Sequence, residues 1–282
     1  MNEKMAKACE LIVSEDTTGQ YSVLKWDENG VQSLNDCIAE EVPIAFVYNG
    51  ISHVVMLATP DDLEDFAIGF SLSEGIVRSA SDVYGVEVVK QPNGIELHIE
   101  IASECFAKLK ERRRNLTGRT GCGLCGAESL EQALRLPEIQ IENGLRFEVS
   151  AIQTALAEIK AKQKLQMKTG ATHACAWVDQ SGKIEVVRED VGRHNALDKL
   201  MGACARKENI KTGFVVTTSR ASYEMVQKIA VAGISMLVAI SAPTGLAIRI
   251  AKSCGITLVG FARSHQYVVY SGADRVLQKE TV

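Results

Sequence analysis

The chain has 282 residues, 46% of them apolar, and a formal net charge of −4, so it can build two hydrophobic cores and carries no general attraction for nucleic acid or an acidic membrane surface. No apolar run reaches the roughly 18 residues of a membrane-spanning helix, and Met1-Asn2-Glu3-Lys4-Met5 opens no secretory leader, so a cytoplasmic protein is expected. Eight cysteines are too few and too scattered for a disulfide scaffold.

Residues 1–20 are polar without a period, and the pattern turns strand-like from Tyr21. Pro43 to Thr59 gives two apolar runs either side of Asn49-Gly50, which predicts a hairpin. Thr59-Pro60-Asp61-Asp62 then supplies a helix cap, a proline at the first helical position and early acids, and Leu63, Phe66, Ala67 and Phe70 recur at helical spacing to about Gly75. Val83–Val89 and Ile95–Ile101, joined by Asn93-Gly94, predict a second hairpin, so this half reads as α+β with antiparallel pairing. Glu104–Asn115 and Glu128–Leu136 read as helices, and between them lies Gly118-Arg119-Thr120-Gly121-Cys122-Gly123-Leu124-Cys125-Gly126.

Further on, Ser150 is placed to cap a helix running to about Lys168 and ended by Thr169-Gly170. Strands His173–Val178 and Ile184–Val187 and a helix Arg193–Ala205 follow. Apolar runs Phe214–Thr218, Met236–Ile240 and Ile256–Phe261 alternate with helical patterns at Ala221–Ala232 and Gly245–Ser253. That rhythm predicts a parallel sheet with right-handed crossovers, whose ligands bind beyond the carboxyl ends of the strands. Those ends carry Thr218-Ser219-Arg220, Ser241 to Gly245, and Arg263-Ser264-His265-Gln266, polar segments suited to phosphate.

Cys37, Cys204 and Cys254 read as packing thiols, and only Cys122 and Cys125 form a motif. Glycines around that pair favour exposed sulfurs. Three chemistries fit it: half of a zinc site, completed by His173 and Cys175; thioredoxin-like redox exchange; or sulfur relay through a persulfide. His53 and His98 lie among alternating strand residues without a second ligand at metal spacing and are left out. Arg193-His194 can bind phosphate or tune a thiol as readily as it can cap and pack a helix.

Glu40-Glu41-Val42-Pro43, Tyr48-Asn49-Gly50-Ile51, Gly69-Phe70-Ser71-Leu72-Ser73-Glu74-Gly75-Ile76 and the Gly118 to Gly126 loop resemble the formate dehydrogenase accessory sulfurtransferase family, the FdhD family. So do the run Glu189 to Lys199 and Ser219-Arg220-Ala221-Ser222-Tyr223-Glu224-Met225. The resemblance implies an α/β protein with an α+β N-terminal domain, residues 1–126, and a cytidine-deaminase-like C-terminal domain, residues 127–282. It implies a sulfurtransferase that takes sulfur from a cysteine desulfurase and hands it to the bis(molybdopterin guanine dinucleotide) molybdenum or tungsten cofactor of formate dehydrogenase. Cys122 would carry the persulfide with Cys125 assisting. Phe261-Ala262-Arg263-Ser264-His265-Gln266, with Ser219 and Arg220, would hold the cofactor, and GDP would mimic its guanosine diphosphate ends. Homodimers are expected, with no resident metal and no nucleic-acid or membrane partner. A deaminase needs a His-x-Glu or Cys-x-Glu and a Pro-Cys-x-x-Cys, whereas His173-Ala174-Cys175 lacks the glutamate and Gly121 precedes Cys122. A zinc-binding interaction module without catalysis is the alternative.

Overall fold

The computed structural model describes residues 16–117, 139–141, 144–207, 212–264 and 266–278. The loop with Cys122 and Cys125, the expected helix Glu128–Leu136, His265, the first 15 residues and the 126/127 boundary lie outside them.

Strands β1 (Thr18–Asp27) and β2 (Gly30–Ala39) form a separate two-stranded hairpin. A four-stranded sheet follows in the order β4-β3-β6-β5, from β3 (Val42–Tyr48), β4 (Ile51–Ala58), β5 (Val83–Gln91) and β6 (Gly94–Ile101). Both expected hairpins form. The expectation of purely antiparallel pairing is corrected, because β3 and β6 run parallel. They are the strands with the most buried side chains, including Ile44, Phe46, Leu97 and Ile99, so both take the centre while the half-exposed β4 and β5 take the edges. Gly94 opens this pairing: a Cβ there would stand 2.4 Å from the Pro43 carbonyl oxygen.

Helix α1 (Leu63–Ser73) starts later than its cap signal suggests. Thr59 does not cap it; Asp62 precedes it in a left-handed conformation (φ 52°) without a side-chain cap bond. Thr59 is instead fully buried and bonded to the C-terminal half, so tertiary contacts outweigh local capping. Helix α2 spans Ser103–Thr117.

In the C-terminal half a six-stranded sheet has the order β13-β12-β11-β10-β8-β9. Its strands are β8 (His173–Asp179), β9 (Ile184–Asp190), β10 (Gly213–Thr217), β11 (Met236–Ala239), β12 (Thr257–Arg263) and β13 (Gln266–Ser271). The expected parallel core is present as β10-β11-β12, and β8, β9 and β13 pair antiparallel around it. A short pair, β7 (Phe147–Glu148) with β14 (Val276–Leu277), stands apart. The helix read from Ser150 to Lys168 is two: α3 (Val149–Lys162) and α4 (Lys164–Thr169). Gln163 (ψ 76°) breaks it where the Glu189 carboxylate accepts the amides of Leu165 and Gln166 and starts α4 afresh. Ser150 lies inside the first turn, not at its cap. Gly170, at φ 69°, ends α4 as expected.

Helices α5 (Arg193–Ala205), α6 (Tyr223–Val231) and α7 (Gly245–Ser253) cover one face of this sheet, and α3 covers the other. Alternation along β10 sends Val215 to the first core and Phe214 and Val216 to the second. A third core lies within Val42–Leu109. The halves meet where α1 crosses α5, and the approach is so close that a Cβ on Gly69 would sit 1.7 Å from the Asp198 carbonyl oxygen.

Candidate functional site

The carboxyl ends of the three parallel strands converge. The Ile240 amide donates to the Thr217 carbonyl at 2.9 Å, which seats the segment after β11 beside the one after β10. Ala221 bridges Pro243, and the Thr244 amide donates to the Ala221 carbonyl at 3.0 Å. From the other side the Phe261 amide donates to the Ser241 carbonyl at 3.1 Å, and Arg263 Nη1 reaches the Ile240 carbonyl at 3.4 Å. Residues 219–221 and 260–263, forty apart in sequence, thereby share one support, the 240–244 segment.

Local geometry follows from two features of β12. Gly260 lets Pro243 pack on the strand, since a Cβ there would lie 2.7 Å from Pro243 Cδ. An irregularity in the β12–β13 register between Gly260 and Arg263 then puts Phe261 at φ 49°, a left-handed conformation unusual for an aromatic residue. The kink turns Phe261 outward, 46% exposed, and Ala262 into the core. Arg220, Arg263, Ser264 and Gln266 are exposed at this end, whereas Ser219 is buried and exchanges a hydrogen bond with Thr217. Thr244 caps α7 through its hydroxyl, but Ser222 makes no side-chain bond to the first turn of α6. Two exposed guanidinium groups and an uncapped helix start suit an anion with phosphate groups.

Beneath this platform, the junction of the halves is ionic. Lys199 and Asp190, both fully buried, pair at 2.7 Å. Lys199 also donates to the Thr59 carbonyl at 2.9 Å, and Asp190 accepts from the amides of Thr59 and Gly192 and from Asn195 Nδ2. At the adjacent position on α5, Asp198 accepts from Ser73 Oγ at 2.6 Å and pairs with Lys228 at 3.0 Å, and Lys228 reaches Glu74 at 2.7 Å. Burial works against the Lys228 charge, but Asp198 and Glu74 outweigh it and raise its pKa.

The FdhD/NarQ family profile matches residues 39–277. The chain belongs to the FdhD/NarQ family. A curated relative from Cupriavidus necator, named sulfur carrier protein FdhD, is 55% identical over 261 residues, covering 92% of this chain and 90% of the relative. Another of that name from Xanthomonas euvesicatoria is 54% identical over 245 residues, covering 86% and 87%. A crystal structure described as a formate dehydrogenase accessory protein from Desulfotalea psychrophila superposes with a TM-score of 0.72 at 23% identity, covering 93% of this chain and all of that one. That structure shares the fold.

Three of the segments that carry the FdhD resemblance build the junction. Gly69 to Ile76 and Glu189 to Lys199 contain the α1–α5 crossing and its ion pairs, and Ser219 to Met225 joins the platform to Lys228 through α6. Sequence reasoning missed Thr59, Asp190, Asp198 and Lys199 as a unit. The available signal was the Asp198-Lys199 charge pair inside the otherwise apolar stretch Ala196 to Met201.

Arg193-His194 does stand at the start of α5. His194 Nε2 lies 2.7 Å from Glu224 and 3.3 Å from Ser222 Oγ, yet burial lowers its pKa, and Arg193 and Lys228 reinforce this against the half-exposed Glu224. Burial, then Arg193, lowers His173 as well. Cys175 is fully buried against Thr217, and burial pushes its thiol up to about 12. Cys254 is a buried packing thiol as expected, and Cys37 and Cys204 are half-buried.

Proposed function

We propose that this chain is a sulfur carrier that loads a molybdopterin cofactor for formate dehydrogenase. The Cys122 thiolate attacks the outer sulfur of a cysteine desulfurase persulfide. The S–S bond to the desulfurase cysteine breaks, that cysteine leaves as thiolate, and Cys122 holds the sulfur with no net change in oxidation state. For release, the Cys125 thiolate attacks the Cys122 sulfur, and the terminal sulfur departs as sulfide to the metal. The resulting Cys122–Cys125 disulfide has given up the two electrons the sulfide gained, and a dithiol reductant resets it.

The acceptor is the bis(molybdopterin guanine dinucleotide) cofactor of molybdenum or tungsten, held as substrate at the strand-end platform. Arg220 and Arg263 face its phosphates, and Phe261, Ser264, His265 and Gln266 complete the segment beside it. The carrier acts as a cytoplasmic homodimer and meets a cysteine desulfurase and formate dehydrogenase in turn.

The observation that carries this reading is the meeting of residues 219–221 and 260–263 on one support in a chain of this family. The names of the curated relatives and the glycine-flanked Cys-x-x-Cys support the sulfur chemistry. The test is formate dehydrogenase activity in a host lacking its own carrier. The wild-type chain should restore activity and Cys122→Ala should not, at equal protein level. Full restoration by Cys122→Ala overturns the assignment.

A further inference from the structure

We propose that the outer face of the sheet β4-β3-β6-β5 docks an amphipathic helix of a partner protein, one with lysine or arginine along one flank of its apolar stripe. The inner face sends Ile44, Phe46, Leu97 and Ile99 into a core with Phe66 and Phe70 of α1 and Leu109 of α2. Register fixes what the outer face holds. Val55 of β4 stands opposite Ala45 of β3, Ala45 beside Glu96 of β6, and Glu96 opposite Val89 of β5. The next row runs Val47, His98, Glu87, and Leu57 faces Pro43 and Glu100 faces Gly85 at the two ends.

The β3–β4 side of this face is apolar. From Val42 to Val47, β3 has no polar side chain, the pattern of a strand covered on both faces and not of one that meets water. Yet Val55 and Leu57 beside it are 58% and 55% exposed. Single apolar side chains on a surface are ordinary, but these two continue Pro43, Ala45 and Val47 as one strip.

The β6–β5 side is acidic. Glu87, Glu96 and Glu100 lie on it, and its strands place no lysine or arginine there: β3, β4 and β6 contain none, and Lys90 of β5 pairs with Ile95 of the inner face. His98 is bonded to Glu96 at 2.8 Å, and the face stays net negative even when this histidine is protonated. Glu87 and Glu100 are exposed and make no hydrogen bond or ion pair among the described residues.

Strands about 4.8 Å apart bring both sides within reach of one helix, roughly 10–12 Å across. A sheet face offers side chains and no free ladder groups, so it suits a helix, whose backbone is already paired, better than an extended peptide. A second copy would bring one acidic row toward another, which like charge opposes. A helix with a basic flank meets both sides.

The probe is a fluorescein-labelled, stapled helical peptide with leucines at helical spacing, lysines along one flank, and alanine and glutamine elsewhere, titrated against the full chain by anisotropy. Saturable binding is expected. Glu87→Lys/Glu100→Lys should weaken it about tenfold, and so should Val55→Thr/Leu57→Thr, which keeps the charge and removes the exposed apolar strip. Glu111→Lys/Glu158→Lys makes the same change in net charge on α2 and α3, away from this face, and should leave binding unchanged. All these side chains are exposed, and matching circular dichroism melts verify that the variants fold. Absence of saturable binding overturns the proposal, as does binding indifferent to the Glu87/Glu100 reversal or to the threonine pair, or weakened equally by the Glu111/Glu158 reversal. Self-association of the free chain that the threonine pair abolishes also overturns it, since the face would then hold a second copy.

Discussion

Replacing Lys199 by Met tests whether the buried junction holds the two halves together. Lys199 and Asp190 are both 0% exposed and 2.7 Å apart. Removing one partner of such a pair strands the other charge in the interior, at a cost of about 3–5 kcal/mol. The Asp190 carboxylate keeps three donors, the Thr59 amide at 3.1 Å, the Gly192 amide at 2.7 Å and Asn195 Nδ2 at 3.0 Å. Methionine refills most of the lysine volume, so the loss should fall near the lower bound, about 3 kcal/mol. With a urea slope of about 1–3 kcal/mol/M, the midpoint should drop by roughly 1–3 M. Trp177, packed against the core that includes α5, reports the transition by fluorescence. Adding Asp190→Asn removes the stranded charge and should recover much of the loss. A Lys199→Met midpoint within error of wild type would refute the reasoning, and so would a double variant as unstable as the sum of the singles.

The α1–α5 crossing gives a second prediction. Gly69→Ala and Gly202→Ala would place a Cβ 1.7 and 1.9 Å from the carbonyl oxygens of Asp198 and Asp65, so each should lower stability by about 1–3 kcal/mol in the same assay. His194 should titrate below its ordinary value near 6.5, because burial, Arg193 and Lys228 disfavour the imidazolium. A depressed folded pKa contributes stability above pH ~6.5 that is lost as pH falls through the folded value, so His194→Gln should flatten that loss; an NMR titration midpoint above 6.5 contradicts it. At the platform, Arg220→Ala and Arg263→Ala should each weaken GDP binding by about tenfold in calorimetry, the scale of one charge-assisted hydrogen bond. Both side chains are exposed, so neither change should alter the melting temperature. Absent GDP binding, or binding indifferent to both changes, places the nucleotide ends elsewhere.

Much of the fold was legible where one local signal agreed with burial. Asn49-Gly50 and Asn93-Gly94 mark hairpins because their turns need residues tolerant of positive φ, and the βαβ rhythm from Phe214 to Phe261 reads directly from buried runs. The errors fall where a distant residue decides. Thr59 is a good cap in isolation but is held by Asp190 and Val191, more than 130 residues later. The α3–α4 break comes from Glu189 on another strand. The parallel β3–β6 pairing depends on which strands bury most, and β13 was hidden because Arg263 to Gln266 read as a ligand loop, not as the turn between β12 and β13. For the candidate site, sequence pattern located the strand ends, since topology puts them on one edge. It could not show that the 240–244 segment is their common support, because those contacts run through backbone amides and carbonyls that carry no residue-type signal.

The central claim, that Cys122 carries the sulfur, is tested most directly by incubating the protein with a cysteine desulfurase and cysteine, trapping with an alkylating reagent, and mapping the product by mass spectrometry. One additional sulfur atom on the peptide containing Cys122, absent when the desulfurase is omitted and absent in Cys122→Ala, is the predicted result. Additional sulfur found on another cysteine, or none on Cys122 after full turnover of the desulfurase, would contradict it.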